Sequence, residues 1–203
     1  MKLFYSPGAS SLAAHIALRE AGIDAELVRA DLESGTVPAT GEPFAAIHPM
    51  GKVPALQLDD GTILTETLAI LEYVADRAPE AHLAPAVGDR ARYRMAEAMS
   101  FVATELHKGF APMFDPEVPY AYKAQLVADE RPFRRMASLV ERGPWVLGDR
   151  FSVADAHLFT ILRLGRHAGL DFSRWPAIEP YIERVAARPA VRAAMRAEGL
   201  FEA

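Results

Sequence analysis

The sequence predicts an α/β domain followed by an all-α domain, and three observations support this division. Short apolar runs and helical segments follow one another in the order β-α-β-β-β-α over residues 1–78. Two prolines lie in the stretch 78–87, which is typical of a linker. Over 88–203, apolar residues recur at spacings of three and four, the period of an amphipathic helix.

The elements of the first domain follow from apolar patterning and from the residues that start and stop each element. Gly22 ends the first helix, and Asp59-Asp60-Gly61 joins two strands as a hairpin because glycine tolerates the positive φ of tight turns. The opening β-α-β order implies parallel strands joined by a right-handed crossover. A long loop with room for one helical turn is predicted over 33–48. The predicted strands and helices run over 2–5, 10–21, 25–30, 55–58, 62–64 and 67–77.

Prolines divide the second domain into helices. The first begins near Gly88 and ends at the prolines that start with Pro112, and its buried positions are predicted to be Met95, Met99, Val102 and Leu106. A second helix is predicted over about 120–141, with a bend at Pro132. Ser152 and Asp155 have the spacing of a capping box that opens an apolar helix. Two short helices are expected after Pro176 and Pro189.

Composition and charge exclude several classes of protein. The net charge of −5 gives no electrostatic basis for nucleic-acid binding, and 51% hydrophobic residues fit a folded core. The chain has no cysteine, which excludes disulfides, thiolate nucleophiles and thiolate zinc sites. The six histidines are scattered, so no metal is expected. No apolar stretch approaches the roughly 20 residues that span a bilayer, and no signal peptide is evident, so we expect a cytoplasmic protein without membrane contact.

The segments 50–54 and 65–67 together are typical of a site for a small peptide. The helix start at Glu66-Thr67 presents unpaired N–H groups, which favour a carboxylate. If the Val53-Pro54 peptide is cis, the backbone of Val53 can face outward and pair with an extended ligand.

These segments resemble the glutathione-binding half of the soluble glutathione transferases, and the order of elements resembles the thioredoxin-like domain of that family. The resemblance extends over nearly the whole chain and is closest to the bacterial beta class. Further matching segments are Met1-Lys2-Leu3-Phe4-Tyr5-Ser6-Pro7-Gly8-Ala9, Ala14-His15-Ile16-Ala17-Leu18-Arg19-Glu20, Glu105-Leu106-His107-Lys108, and the tail from Arg188-Pro189-Ala190-Val191 to Glu198-Gly199-Leu200. One departure stands out: Ser10 occupies the position of the class cysteine.

The resemblance implies that glutathione is a co-substrate bound mainly by the first domain. Glu66 is expected to receive the ligand's ammonium, and Thr67 its γ-glutamyl carboxylate. The backbone at Val53 and Pro54 is expected to pair with the cysteinyl part. Lys52 is the candidate cation for the glycyl carboxylate, although a solvated surface lysine is the ordinary alternative.

The same resemblance suggests where chemistry occurs. Ser10 is predicted to cap the first helix. From the same position it is expected to donate a hydrogen bond to the glutathione sulfur, with Ser11 and Tyr5 as the alternatives. Tyr5 is also a candidate glutathione contact. In the helical domain, His107 and Lys108 match a family pair; His107 is expected to be catalytic and Lys108 to contact glutathione. Wall or core positions beside it are Phe110, Met113 and Phe114.

The predicted function is conjugation of glutathione thiolate to a hydrophobic electrophile, a detoxifying reaction, in a homodimer. The alternative is a protein of the same fold that binds glutathione or another ligand without turnover. A serine hydrolase fits poorly, because Leu12 breaks the G-x-S-x-G pattern around Ser10 and Ser11.

Overall fold

The computed structural model describes residues 1–200 and divides into two compact units. The first contains Met1–Ala84 together with residues 187–200, and the second contains Pro85–Ala186. The first unit has an α/β core and the second is helical, as the sequence predicts. The elements of the first unit are β1 (Lys2–Tyr5), α1 (Ser11–Glu20), β2 (Glu26–Arg29), β3 (Ala55–Gln57), β4 (Ile63–Thr65), α2 (Thr67–Arg77) and α9 (Pro189–Ala197).

The four strands form one mixed sheet in the order β2-β1-β3-β4. β1 pairs in parallel with β2, and β3 is antiparallel to both β1 and β4. The predicted β-α-β opening and the hairpin are therefore confirmed. β1 and β4 run in the same direction. The helices that follow them, α1 and α2, therefore both start at the same end of the sheet, where the C-terminal ends of β1 and β4 lie.

Both faces of the sheet are covered. Successive strand residues point to opposite faces, and Leu3 and Phe4 of β1 are both buried. Phe4 packs with Val37, Phe44 and Val53, so the long loop 33–48 and the segment before β3 close one face. The predicted helical turn in that loop is a 3-10 turn at Phe44–Ala46.

α1 is buried from Ser11 to Leu18 and packs against β1, α2 and α9. As predicted, Gly22 ends α1: it adopts a φ of +65°, and the N–H of the next residue, Ile23, donates to the carbonyl of Leu18 at 2.9 Å. This pairing satisfies a carbonyl that the helix end would otherwise leave open.

The C-terminal segment belongs to the first unit, whereas the sequence analysis assigned everything over 88–203 to the helical domain. α9 packs on α1. Arg188, just before α9, donates two hydrogen bonds to Glu20 at 2.6 and 2.8 Å. The apolar period of α9 predicts a helix, but it carries no information about which partner buries its face.

The helices of the second unit are α3 (Arg90–Phe101), α4 (Lys108–Phe114), α5 (Tyr120–Ala128), α6 (Glu130–Ser138), α7 (Val153–His167) and α8 (Ile178–Ala186). A π-helical segment, Val102–His107, joins α3 to α4. The four apolar residues predicted to be buried along α3 and this segment are all at most 1% exposed: Met95, Met99, Val102 and Leu106. Pro112 lies inside α4, which ends two residues later.

The predicted helix over 120–141 is two helices, and the break lies at Asp129 instead of Pro132. The Asp129 carboxylate accepts the N–H of Arg131 at 3.1 Å and so caps α6. Pro132 occupies the first turn of α6, where its missing N–H has no intrahelical partner to lose.

The predicted capping box at the start of α7 is confirmed. Asp155 is buried, and its Oδ2 accepts the Ser152 N–H at 2.9 Å and the Ser152 hydroxyl at 3.0 Å. Its Oδ1 accepts the Val146 N–H at 2.8 Å and the Tyr181 hydroxyl at 3.1 Å. Burial raises the pKa of Asp155 to about 6, while these hydrogen bonds act in the opposite direction. Across residues 1–200, no helix is long and apolar enough to span a membrane.

Candidate functional site

The sheet register brings three of the predicted site segments together at the end of the sheet where β1 and β4 finish and β3 begins. Phe4 of β1 is opposite Ala55 of β3, which is opposite Thr65 of β4. One position further in the same direction, Tyr5 is the last residue of β1, Pro54 immediately precedes β3 and Glu66 immediately follows β4. Segments that are about 50 residues apart in sequence are therefore adjacent in space.

The middle position of this row is the Val53-Pro54 peptide, which is cis. The condition under which the sequence analysis expected Val53 to offer its backbone to a ligand is thus met. The Val53 side chain is buried in the core beneath the sheet, and Lys52 beside it is exposed.

The third position, Glu66, has an unusual backbone. Its φ of 67° and ψ of 122° lie in a region that residues with a Cβ rarely adopt, at a cost of about 1–3 kcal/mol. Its side chain is exposed and makes no hydrogen bond to the first turn of α2, whose first residue is Thr67. The helix start therefore keeps N–H groups for an external anion, next to a carboxylate that can receive a cation.

Ser10 lies at the start of α1, but it does not act as the predicted N-cap. Its φ and ψ are helical and its side chain makes no capping hydrogen bond. Instead, its buried hydroxyl donates to the backbone carbonyl of Val53 at 2.9 Å. The neighbouring Ser11 is also occupied: its hydroxyl donates to the Ser6 carbonyl and accepts the Ser6 N–H, both at 3.2 Å.

The turn that precedes α1 is supported by residues that sequence reasoning missed. Glu198 accepts the Gly8 N–H at 2.9 Å through Oε2 and contacts Nδ1 of His15 at 2.8 Å through Oε1. Arg19 Nε lies 3.3 Å from His15 Nε2. Because Arg19 can only donate, His15 Nε2 carries the lone pair and Nδ1 carries the proton given to Glu198. No local pattern links residue 198 to residue 8, so only the tertiary structure reveals this contact.

His107 and Lys108 lie in the second unit, where the π-helical segment meets α4. Lys108 is exposed and His107 is half-buried. A second histidine, His157 on α7, is completely buried, and both of its ring nitrogens lack a hydrogen-bond partner within residues 1–200. Burial, and secondarily the charge of His107, lowers the pKa of His157 to about 3. The sequence does not single out His157, because it has the same helical spacing as the buried apolar residues around it.

The aromatic residues that could be wall or core differ in burial. Phe110 is core: it is buried and stacks on Phe133 with ring centroids 6.0 Å apart. Phe114 is 47% exposed and stacks on His167. Across residues 1–200, no group of three or more histidine or carboxylate side chains is arranged to hold a metal ion.

Comparison with known proteins identifies the family. The family profile "Glutathione S-transferase, N-terminal domain" matches residues 1–76, and "Glutathione S-transferase, C-terminal domain" matches residues 101–189. Glutathione S-transferase GstA of Escherichia coli O157:H7 is 44% identical over 201 residues, which cover 98% of this chain and 100% of that protein.

Two solved structures give the same result. A sphingomonad glutathione S-transferase complexed with glutathione is 46% identical with a TM-score of 0.91, covering 99% of this chain and 100% of its own. The bacterial beta class glutathione S-transferase of Sphingomonas chungbukensis is 44% identical with a TM-score of 0.92, at the same coverage. Likeness of sequence and fold along essentially the whole length establishes that this chain belongs to the glutathione S-transferase family.

Proposed function

We propose that this protein conjugates glutathione to a hydrophobic electrophile, with glutathione as co-substrate and no metal. The observation that carries the proposal is the row of Tyr5, the cis Val53-Pro54 peptide and Glu66 along one edge of the sheet. The three positions offer a peptide the side chain of Tyr5 at the end of β1, the backbone beside the cis peptide, and the start of α2.

Two inter-strand steps of about 4.8 Å separate β1 from β4, so the row spans about 10 Å, which is the scale of a small peptide. In this arrangement the γ-glutamyl group meets Glu66 and Thr67, the cysteinyl backbone pairs with Val53, and Lys52 is the candidate for the glycyl carboxylate.

The sulfur then lies near the start of α1, where the N–H groups and positive end of the helix favour a thiolate. The candidate hydroxyl donors there are Ser10, Ser11 and Tyr5. In the reaction the thiol releases its proton to solvent, the thiolate forms a bond to the electrophilic carbon, and the leaving group departs. His107 and Lys108 are assigned to the site by the resemblance alone.

The test combines binding and turnover. Calorimetry should give a glutathione Kd between about 1 μM and 1 mM. Conjugation to an activated aryl chloride, followed by absorbance of the thioether, should proceed above the uncatalysed rate. Glu66→Gln should weaken glutathione binding, whereas Glu80→Gln, which neutralises another exposed carboxylate of the same unit, should not. Equal affinities for the two variants would remove the basis for the assigned orientation.

A binding protein without turnover is the second candidate, and one observation favours it. The hydroxyl of Ser10 is already donated to the Val53 carbonyl, so a free donor for sulfur is missing at that residue. Tight glutathione binding without aryl chloride conjugation would select this alternative.

The biological setting proposed here is cytoplasmic detoxification by a homodimer, with no nucleic-acid or membrane partner. The support is the family membership and the acidic net charge of −5. Light scattering of the purified protein should give twice the mass of 22.2 kDa.

A further inference from the structure

The Ser10 hydroxyl has one proton, and it is donated to the Val53 carbonyl at an oxygen-to-oxygen distance of 2.9 Å. Both residues are 8% exposed, so the hydrogen bond is shielded from water. It joins two segments that are 43 positions apart in sequence. Losing a buried partner of this kind leaves the carbonyl unsatisfied, which is costly.

The acceptor in this bond is itself part of the proposed ligand site. The Val53 carbonyl belongs to the residue whose peptide bond to Pro54 is cis and which lies two residues before the start of β3. A carbonyl oxygen has two lone pairs, so it can accept Ser10 on one and a ligand N–H on the other. The bond to Ser10 therefore need not break when a peptide binds.

We propose that Ser10 is a positioning residue for the Val53 backbone and is not the hydrogen-bond donor to the glutathione sulfur. Its hydroxyl ties the start of α1 to the segment before β3, and so holds the Val53 carbonyl in the orientation that an extended peptide requires. This inference rests on the proposed function, because it concerns the same glutathione site. It leaves stabilisation of the thiolate to the backbone N–H groups at the start of α1 and to Tyr5.

The two possible roles of Ser10 predict opposite results with two ligands. S-methylglutathione has the peptide backbone of glutathione but cannot form a thiolate. A positioning residue affects both ligands equally, whereas a donor to sulfur affects only glutathione and the pKa of its thiol.

The experiment measures Kd by calorimetry for both ligands and the pKa of bound glutathione by thiolate absorbance. For Ser10→Ala we expect Kd to rise about tenfold for both ligands, as loss of about 1.4 kcal/mol requires. The thiol pKa should stay within about 0.3 units of the parent value. In steady-state kinetics KM for glutathione should rise more than kcat falls. Ser10→Thr, which keeps the hydroxyl, should recover most of the affinity, and Ser173→Ala, in the other unit, should change neither ligand's Kd.

The outcomes separate the two proposals. A raised thiol pKa with an unchanged Kd for S-methylglutathione in Ser10→Ala would overturn the positioning role and make Ser10 the donor. An unchanged Kd for both ligands, with only a lower unfolding midpoint, would also overturn it and reduce Ser10 to a structural residue. Failure of the parent protein to bind either ligand would instead refute the proposed function.

Discussion

Replacing the buried His157 by phenylalanine should remove a specific part of the acid sensitivity of this fold. The imidazole is fully buried, neither ring nitrogen has a hydrogen-bond partner within residues 1–200, and the pKa of His157 is lowered to about 3 from 6.5. Below pH 6.5 the unfolded chain therefore takes up a proton that the folded protein refuses. A group with a depressed pKa of this kind makes stability fall as the pH falls.

The pH-dependent change in the free energy of unfolding that His157 causes follows from its unfolded pKa alone, because its folded pKa of about 3 lies well below both pH values of the measurement. At pH 5, which is 1.5 pH units below the unfolded pKa of 6.5, protonation of His157 stabilises the unfolded state by about 2 kcal/mol, at about 1.36 kcal/mol per pH unit. At pH 7.5 this stabilisation is close to zero. Asp155 acts in the opposite direction, because its pKa is raised to about 6 and protonation favours the folded state. Asp155 is present in both proteins, so its effect cancels when the variant is compared with the parent.

The assay is urea unfolding of parent and His157→Phe at pH 7.5 and pH 5. The loss of stability between these pH values should be about 2 kcal/mol smaller in the variant. His157→Leu guards against overpacking by the larger ring, and His167→Gln removes an exposed histidine from the same helix as a matched control. Identical pH dependence in parent and both His157 variants would refute the reasoning, because it would mean that the folded protein accommodates the charged imidazole.

Three further predictions follow from the described contacts. Ser152→Ala should lower the free energy of unfolding by about 1 kcal/mol through loss of the cap of α7, with KM for glutathione unchanged. Glu66→Gly should be more stable than Glu66→Ala by up to about 1–3 kcal/mol in thermal unfolding, because only glycine relieves the positive φ, yet both should lose glutathione affinity in calorimetry. Arg188→Ala should lower the free energy of unfolding by about 1–3 kcal/mol, because Glu20 loses two hydrogen bonds; an unchanged unfolding midpoint would show that this ion pair is dispensable.

Much of the fold could be predicted from sequence because the signals are local. The hairpin turn, the β-α-β opening and the helix Thr67–Arg77 each follow from a few neighbouring residues, and the structure confirms them. The break between α5 and α6 was misplaced because proline is a strong general signal, whereas the decisive feature is the capping bond from Asp129.

The sequence indicated segments that the sheet places side by side, but it did not indicate their contacts. The segments around Val53 and Glu66 were found from motif and resemblance, and the register of the sheet then aligned them. The bond from Ser10 to Val53 was not foreseen, because a serine before a helix is normally an N-cap. His157 was missed because burial without a partner is a property of the packed core and leaves no trace in the spacing of apolar residues.

The attachment of α9 to the first unit has a consequence for biosynthesis. A ribosome makes β1 and α1 first, but their packing partner α9 and the Glu198 carboxylate emerge only after the whole of Pro85–Ala186. One face of α1 therefore stays uncovered until the last segment of the chain has been synthesised. The turn that leads into Ser10 is among the last parts of the molecule to be completed, although it is among the first to be made.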